Sequence, residues 1–355
     1  MTMVDLAVIV SAQLTLLLAI VALKVYVRET DVLSGRYLHN DSDYSPALSE
    51  HFARADATII ERSPQPRAAA FPPARPARSS AHQETSPLPT AETRSGHAGP
   101  SQSFRATATL PAGVRIYAIG DIHGRADLLR IMLEKIGIDR QQRPVERPIL
   151  LFIGDYVDRG PSSREVIDIL LKCRDAGESI FLKGNHETFI TRFLKEPAVL
   201  SDWRQCGGLE TLLSYGLKPS FSPDEGERAK LSEELAAAMS IDQLAFLNSL
   251  PLSFQCGDFL FVHAGIRPGI PLADQVEEDL LWIREDFLGS EAAFGVFVVH
   301  GHTPVREPEM RSNRINIDTG AFATGRLTCA VIEGAAITTL STAPAGRTDS
   351  APVQS

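Results

Sequence analysis

The sequence predicts an α/β protein in which two packed mixed β-sheets are flanked by helices and preceded by a single transmembrane helix. Three features of the 355 residues lead to this prediction. A charge-free apolar run lies near the amino terminus, a long stretch rich in Pro, Ala, Ser and Arg follows it, and apolar runs between Gly- and Pro-marked turns fill the remainder. The predicted parts are a transmembrane anchor (residues 1–27), a disordered linker (28–112), one folded domain (113–342) and a disordered tail (343–355).

The anchor prediction rests on the run from Leu6 to Leu23, which has no charged residue and about the length that a helix needs to cross a bilayer. The run opens after Asp5 and ends in KVYVR, without the basic start and small-residue cleavage site of a signal peptide. Lys24, Arg28 and Arg36 follow the span, so the positive-inside rule places the carboxyl side in the cytoplasm. We therefore expect a single-pass membrane protein whose folded domain is cytoplasmic.

Residues 28–112 have few large apolar side chains and show neither a helical nor a strand period. Such a segment cannot bury enough apolar surface to offset the entropy lost on ordering, which is why we predict a linker there. The net charge of −9 argues against nucleic acid as a partner, because affinity for a phosphate backbone requires a basic face. The remaining expected partners are a membrane, reached through the anchor, and the substrate.

One local event repeats through the folded region: an apolar strand ends in a short loop that contains Gly and carries Asp, His or Asn. Three of these strands lead into a helix, with VRIYAI running into GDIHG, PILLFI into GDYVDRG and SIFLK into GNHE. Such β-loop-α units imply parallel strands whose carboxyl ends lie along one edge of a sheet, where ligands bind in α/β proteins.

Two later strands end in the same way, since FLFV is followed by HAG and VFVV by HGHTP. The segments RINIDTG, RLTCAVIEG and AAITTLS are predicted to form short strands of a second sheet. All five histidines beyond the linker fall at strand ends or in the loops that follow them: His123, His186, His263, His300 and His302. A mixed donor set of oxygen and imidazole atoms suits Mn, Fe or Zn better than Mg or Ca alone.

The motifs GDIHG, GDYVDRG, GNHE, HAG and GHTP, in this order, resemble the phosphoprotein phosphatase family within the calcineurin-like metallophosphoesterases. The resemblance covers about Val114 to Gly334 and implies a four-layer sandwich. The segments WRQCGGLETLLSYG, LLWIRED and NIDTGA are similar to the bacterial and phage serine/threonine protein phosphatases. Lys183 departs from the eukaryotic pattern, which usually has Arg before GNHE. Pro304 stands where the GHxH motif of cyclic-nucleotide phosphodiesterases and other relatives has its second His, which favours the phosphatase and dinucleoside-polyphosphate hydrolase branch.

The resemblance implies a dinuclear metal centre in which a metal-bound hydroxide attacks a phosphorus atom in line with the leaving group. Two divalent ions are expected, with Mn²⁺ first and Fe or Zn as alternatives. The implied ligands are Asp121 and His123 for the first ion, Asp155 as a bridge, and Asn185, His263 and His302 for the second ion.

The resemblance also implies roles for four further residues. His186 is the expected general acid, and Asp158 would fix the tautomer of its imidazole and favour its protonated state. Arg159 and Arg284 are the expected bidentate contacts for phosphoryl oxygens. His300 could act behind the metal ligands, or it could be a buried structural residue.

Three functions are open at this level. The leading hypothesis is hydrolysis of phosphoserine or phosphothreonine in proteins, because a membrane tether raises the effective concentration near membrane-bound targets. The alternative is hydrolysis of dinucleoside tetraphosphates, which uses nearly the same metal loops. A non-catalytic membrane scaffold is disfavoured, since every implied ligand and the His186/Asp158 pair are of the required type.

Overall fold

The computed structural model describes residues 103–106 and 108–343. The predicted anchor, the predicted tail from residue 344 and the predicted linker up to residue 102 lie outside these residues. Those assignments therefore stay predictions. In the part of the chain that the structure describes, no helix is both long enough and apolar enough to cross a bilayer.

A six-stranded mixed sheet forms one half of the fold. Its strand order is β1-β11-β10-β2-β3-β4, with β2, β3 and β4 parallel and the other neighbouring pairs antiparallel. The strands are β1 (Ser103–Arg105), β2 (Val114–Ile119), β3 (Arg147–Phe152), β4 (Ser179–Phe181), β10 (Thr328–Glu333) and β11 (Ala336–Ser341).

A five-stranded mixed sheet forms the other half, in the order β5-β6-β7-β9-β8. Strands β6, β7 and β9 are parallel, while β5 and β8 pair antiparallel at the two edges. The strands are β5 (Ser253–Cys256), β6 (Phe259–Val262), β7 (Phe297–His300), β8 (Glu309–Met310) and β9 (Arg314–Asn316).

The helices fill the connections between these strands. In chain order they are α1 (Ala126–Gln142), α2 (Ser163–Ala176), α3 (Asn185–Phe193), α4 (Leu200–Gln205), α5 (Gly208–Ser214), α6 (Glu225–Ala238), α7 (Ile241–Asn248), α8 (Glu277–Trp282), α9 (Glu285–Leu288) and α10 (Ala321–Thr324). Short 3₁₀ turns occupy Pro197–Val199 and Leu272–Asp274.

Side chains of alternate residues along the central strands enter different cores. On β2, Ile116 and Ala118 point into the core between the two sheets, whereas Tyr117 and Ile119 pack against the core that contains α1 and α2. On β6, Phe261 enters the inter-sheet core and Leu260 enters a third core beneath α8 and α9. This alternation produces four layers, helix–sheet–sheet–helix, and confirms the prediction of two mixed sheets flanked by helices.

Two of the three strands predicted for the second sheet were assigned to the wrong sheet. The segment RINIDTG does contribute β9 to the second sheet, but RLTCAVIEG and AAITTLS form β10 and β11 of the first sheet. Strand β10 pairs antiparallel with β2, with Ala330 opposite Ala118. Both of its faces are buried, so its apolar run specifies a central strand without specifying which sheet it joins. Strand β10 joins the first sheet because it pairs with the edge of β2 that β3 does not occupy.

The folded region also begins earlier than residue 113. Strand β1 lies within the segment predicted as linker, and it pairs with β11 so that Ser103 faces Thr338 and Arg105 faces Ala336. Ala108 and Leu110 are buried in the inter-sheet core. A three-residue strand has no detectable period, and it is held by pairing with a distant strand, so no local pattern marks it.

Candidate metal centre

The carboxyl ends of five strands present the side chains that the sequence motifs predicted. Asp121 and His123 follow β2, Asp155 follows β3, Asn185 and His186 follow β4, His263 follows β6, and His302 follows β7. All are buried, with exposed fractions between 0% and 6%. The two sheets pack so that loops from both contribute to one cluster.

The loops that carry these side chains contain strained backbone. Among the described residues, the non-glycine residues with positive φ are His123 (45°), Asp155 (52°), Asp158 (70°), Arg159 (65°) and His302 (65°), and each of them belongs to the predicted site. This region of backbone space costs an L-residue about 1 kcal/mol or more. Strain concentrated in this way is typical of functional sites, where the surrounding fold fixes a particular side-chain geometry.

Asp155 lies at the middle of the cluster. Its Oδ2 atom is 3.5 Å from His123 Nε2, and its Oδ1 atom is 3.4 Å from His263 Nε2. Two groups of side chains have ligand atoms close enough to hold an ion: His123, Asp155 and His186 form one, and Asp155, His263 and His302 form the other. Asp155 is common to both groups, which is the geometry expected of a bridging carboxylate.

Asn185 extends the second group. Its Oδ1 atom is 2.9 Å from His263 Nε2 and 3.0 Å from His302 Nδ1. Atoms that share one ion at about 2.1 Å lie roughly 3.0 to 3.4 Å from each other, so these three atoms are spaced like ligands of a single metal. The described geometry therefore brings together all three residues that the resemblance assigned to the second ion.

Backbone carbonyls fix the tautomers of two histidines. His123 Nδ1 donates to Val157 O at 2.9 Å, and His263 Nδ1 donates to Ile153 O at 3.0 Å. In both rings this leaves a lone pair on Nε2, facing Asp155. Burial lowers the pKa of His263 to about 4 and that of His123 well below its ordinary value, so both rings are in the neutral form that binds metals.

The buried carboxylates require positive charge. Asp121 Oδ1 is buried and has no hydrogen-bond partner within the described residues, while Asp121 Oδ2 accepts from His302 N at 3.1 Å. Burial, followed by the negative charges of Asp318 and Asp155, raises the pKa of Asp121 well above its ordinary value. Burial raises the pKa of Asp155 to about 7. An ion among these oxygens would remove the cost of burying them ionised, so the donor set fits divalent metals.

Glu187 ties two of the metal loops together, a role that the motif GNHE does not reveal by itself. Its Oε2 atom accepts from Asp155 N and Gly184 N, both at 2.9 Å, and its Oε1 atom accepts from Tyr156 N at 2.8 Å. The side chain is fully buried. The last residue of GNHE thus holds the loop after β3 against the loop after β4, and with it the relative positions of Asp155 and Asn185.

His186 is fixed by Asp158. His186 Nδ1 donates to Asp158 Oδ2 at 2.7 Å, and the same oxygen accepts from Trp203 Nε1 at 2.9 Å. Thr211 Oγ1 donates to Asp158 Oδ1 at 2.6 Å. Trp203 and Thr211 belong to the segment WRQCGGLETLLSYG, whose similarity to bacterial enzymes was visible in the sequence although the contacts were not.

The structure separates two expectations about Asp158. The tautomer expectation agrees with the Nδ1 hydrogen bond, which leaves His186 Nε2 facing the cluster at 3.8 Å from Asp155 Oδ2. The charge expectation does not agree, because burial and then the positive charge of Arg159 lower the pKa of His186 well below its ordinary value. Burial also raises the pKa of Asp158 to about 7. Both shifts oppose a charged pair of His186 and Asp158 in the metal-free protein.

Both predicted arginines lie beside the cluster. Arg159 Nη1 is 3.2 Å from His123 Nε2, and Arg159 Nη2 is 3.2 Å from His186 Nε2. Arg284 follows α8, and its positive charge contributes to lowering the pKa of both His302 and His186. Arg159 therefore contacts the first group of potential ligands, and the charge of Arg284 acts on residues of both groups.

The contacts of His300 favour a structural role over a role behind the metal ligands. It is fully buried on β7, its Nδ1 donates to Gly301 O at 3.2 Å, and its ring lies 5.0 Å from that of Phe287. It belongs to neither group of potential metal ligands in the described residues. Its role was open in the sequence because it lies at a strand end. In the structure its ring points toward the core beneath α9.

The chain belongs to the calcineurin-like phosphoesterase family, which it matches over residues 114–326. It is therefore a hydrolase of the metallophosphoesterase type, a family that uses two divalent metal ions, as the sequence motifs predicted. This confirms the predicted superfamily. The narrower prediction, a phosphoprotein phosphatase, is not tested by the family match.

The chain is similar to two bacterial proteins named asymmetrical bis(5'-nucleosyl)-tetraphosphatase PrpE. That of Bacillus subtilis (strain 168) is 31% identical over 59% of this chain and 87% of its own length. That of Bacillus velezensis is 30% identical over 59% of this chain and 86% of its own length. Among solved structures, a metallophosphoesterase from Sphaerobacter thermophilus aligns at 18% identity and a TM-score of 0.38, over 66% of this chain and 88% of that one.

Proposed function

We propose that this protein hydrolyses dinucleoside tetraphosphates asymmetrically, giving a nucleoside triphosphate and a monophosphate. The proposal is carried by the similarity to the relatives of that name over 86% to 87% of their length. The site supports phosphoester chemistry in general, because one buried carboxylate, Asp155, belongs to two groups of potential metal ligands. The sequence motifs and the predicted anchor favoured a phosphoprotein substrate, and the similarity to these relatives favours a dinucleoside tetraphosphate instead.

The proposed ligands are those expected from the motifs. Asp121, His123 and Asp155 would hold one ion, and Asp155, Asn185, His263 and His302 the other. Two bound divalent ions would supply an activated water and neutralise charge on the phosphoryl oxygens. Mn²⁺ is the proposed ion, with Fe or Zn as alternatives, because the donor set mixes carboxylate and amide oxygens with imidazole nitrogens.

The protein's own groups would bind the phosphates and deliver a proton. Arg159, which lies against His123 and His186, and Arg284, whose charge acts on His302 and His186, would each bind phosphoryl oxygens. The negative charge of a bound polyphosphate would offset the positive charge of the arginines and would raise the pKa of His186. A proton held at His186 Nε2 would then pass to the oxygen of the departing phosphate, while Asp158 Oδ2 keeps the Nδ1 hydrogen bond.

Phosphoserine or phosphothreonine in a protein is the second candidate. It is favoured by the order GDIHG, GDYVDRG and GNHE and by the predicted membrane anchor, which would place the domain near membrane-bound targets. The two candidates share the proposed metal ligands and differ in the leaving group, which is a phosphate oxygen in one case and an alkoxide in the other. Substrate preference therefore decides between them.

The experiment compares substrates on the full chain supplemented with Mn²⁺. Diadenosine tetraphosphate, a phosphoserine peptide and a chromogenic aryl monoester are supplied separately, and the nucleotide products are resolved by chromatography. The proposal expects the highest kcat/KM with the tetraphosphate and products of unequal phosphate number. Equal-sized products, or a higher kcat/KM with the phosphopeptide, would overturn it. Asp155→Asn should abolish turnover of every substrate, because it removes the shared ligand.

A further inference from the structure

Phe322 contacts the proposed phosphate-binding arginine. It lies on α10, in the connection between β9 and β10, and is half-buried. The guanidinium carbon of Arg159 is 4.9 Å from the centre of the Phe322 ring. The same ring packs against that of His123 in a T-shaped arrangement, with centroids 5.5 Å apart and planes at 84°. The ring therefore stands beside the first metal group and against a cation.

The main chain of Arg159 is fixed from a different direction. Arg159 N donates to Gly207 O at 3.0 Å, and the residue has a φ of 65°. A Cβ on Gly207 would lie 2.8 Å from both Arg159 N and Arg159 Cγ, so only glycine allows this approach. These contacts hold the backbone and the start of the side chain, but they leave the guanidinium group to be positioned by other residues.

The contacts of the guanidinium are of two kinds. Its nitrogens reach His123 Nε2 and His186 Nε2, which are the atoms with proposed tasks in metal binding and proton transfer. While these two nitrogens bind a metal ion or transfer a proton, they cannot also accept hydrogen bonds from Arg159. The face of Phe322 has no competing task in the proposed chemistry, and a cation over an aromatic face is attracted by the ring quadrupole.

We propose that Phe322 is a positioning residue that holds the guanidinium of Arg159 ready for the phosphoryl oxygens. The inference rests on the proposed function, in which Arg159 binds the substrate phosphate. A long side chain loses rotamer entropy when it is fixed by a ligand, so a side chain that is already held binds the ligand more tightly. Phe322 therefore acts on phosphate affinity through Arg159, without touching the reacting atoms.

The test measures binding of inorganic phosphate to the Mn²⁺-loaded full chain by calorimetry. Phe322→Leu and Phe322→Ala should each weaken phosphate binding by about 3- to 30-fold, the range expected for a cation–π contact of intermediate exposure. Phe322→Tyr keeps the ring and should stay within about 2-fold of the parent chain. Phe221→Ala is the matched control, because Phe221 is 96% exposed and should leave phosphate binding unchanged.

A double-mutant cycle with Arg159→Ala distinguishes positioning from packing. If Phe322 acts through the guanidinium, Phe322→Leu should have no further effect on phosphate binding in the Arg159→Ala background. Metal content, measured by elemental analysis, should stay at the parent value in every variant. Parent-like phosphate binding by Phe322→Leu, or an equal loss with and without Arg159, would overturn the inference while leaving the proposed function intact. A parent chain that neither binds phosphate nor hydrolyses a phosphoester would overturn both.

Discussion

The imidazole of His186 can exchange a proton with a bound substrate only through Nε2. Its Nδ1 is held by Asp158, and Asp158 is held in turn by Trp203 and Thr211, so the carboxylate cannot rotate away. The remaining nitrogen, Nε2, faces the centre of the cluster. A fixed ring is suited to general acid catalysis, because the proton then lies on the line to the departing oxygen.

Replacing His186 by Asn should therefore depend on the leaving group. We expect a loss of about 100- to 10,000-fold in kcat with a phosphoserine peptide, whose alkoxide must be protonated to depart. The loss should be much smaller with an activated aryl phosphate. Steady-state kinetics on both substrates, with metal content measured in parallel, gives the comparison. Equal losses would indicate a positioning role, and loss of one ion would make His186 a metal ligand.

Asp155 predicts how metal binding changes with pH. Its pKa is raised to about 7 by burial, so in the metal-free protein the carboxyl is increasingly protonated as the pH falls below 7. A metal ion must displace that proton to bind. Below pH 7 the affinity for Mn²⁺ should therefore fall as the pH falls, by up to about 10-fold per pH unit if one proton is displaced. Calorimetric titrations at pH 6, 7 and 8 measure this, and buffers of different ionisation enthalpy count the protons released. An affinity that is unchanged from pH 8 to pH 6 would contradict it.

At the scale of elements, one segment supports the loop after β3. Trp203 on α4 and Thr211 on α5 donate to the carboxylate of Asp158, and Gly207 between the two helices accepts from Arg159 N. The segment Leu200–Ser214 thus fixes both the residue that orients His186 and the proposed phosphate-binding residue. These contacts show what the segment that resembles bacterial enzymes does in this fold.

Two glycines of this region provide a matched pair of substitutions. Gly207 and Gly216 both have positive φ, 95° and 86°, but a Cβ on Gly207 would meet Arg159 at 2.8 Å whereas one on Gly216 would meet nothing within 4 Å. Gly216→Ala should cost only the conformational strain of about 1 kcal/mol in the free energy of unfolding. Gly207→Ala should cost about 1 to 3 kcal/mol more and reduce kcat/KM, because it displaces Arg159.

Denaturant unfolding and steady-state kinetics on both variants make this comparison. The contrast between them isolates the contact with Arg159 from the backbone strain that they share. If Gly207→Ala retained parent-like activity and stability, the segment Leu200–Ser214 would not be a rigid support for the loop.

At the scale of the whole molecule, the site exists only where two sheets meet. Loops from the first sheet supply Asp121, Asp155 and Asn185, and loops from the second supply His263 and His302. The inter-sheet core, with Ile116 and Ala118 on one side and Phe261 on the other, fixes the distance between these loops. Substitutions in that core should therefore affect metal binding as well as stability.

The predicted anchor leads to an expectation about location. We expect the full chain to sediment with membranes, and a variant lacking residues 1–28 to remain in the supernatant with parent-like activity, because the folded residues do not need the apolar run for their core. Fractionation and the phosphoesterase assay on both proteins test this. An insoluble or inactive truncated protein would show that residues 1–28 belong to the fold.

The sequence by itself determined the local chemistry of this protein. Each metal loop is encoded by contiguous residues, such as GDIHG for Asp121 and His123, and the strand before each loop is marked by its own apolar run. The direction of the β-loop-α units placed these loops at the carboxyl ends of parallel strands. Parallel strands in a sheet share an edge, so this brings together the predicted ligands that lie within one sheet. The packing of the two sheets is what brings His263 and His302 to the others.

The tertiary structure alone decided which distant segments support those loops. The sheet joined by β10, the hydrogen bond from Trp203 to Asp158 and the contact of Phe322 with Arg159 all connect residues far apart in the chain. The lowered pKa of His186 also depends on burial and on Arg159, neither of which its neighbours in sequence specify. Periodicity and short motifs report only on the nearest few residues, whereas these contacts arise from how complete elements pack.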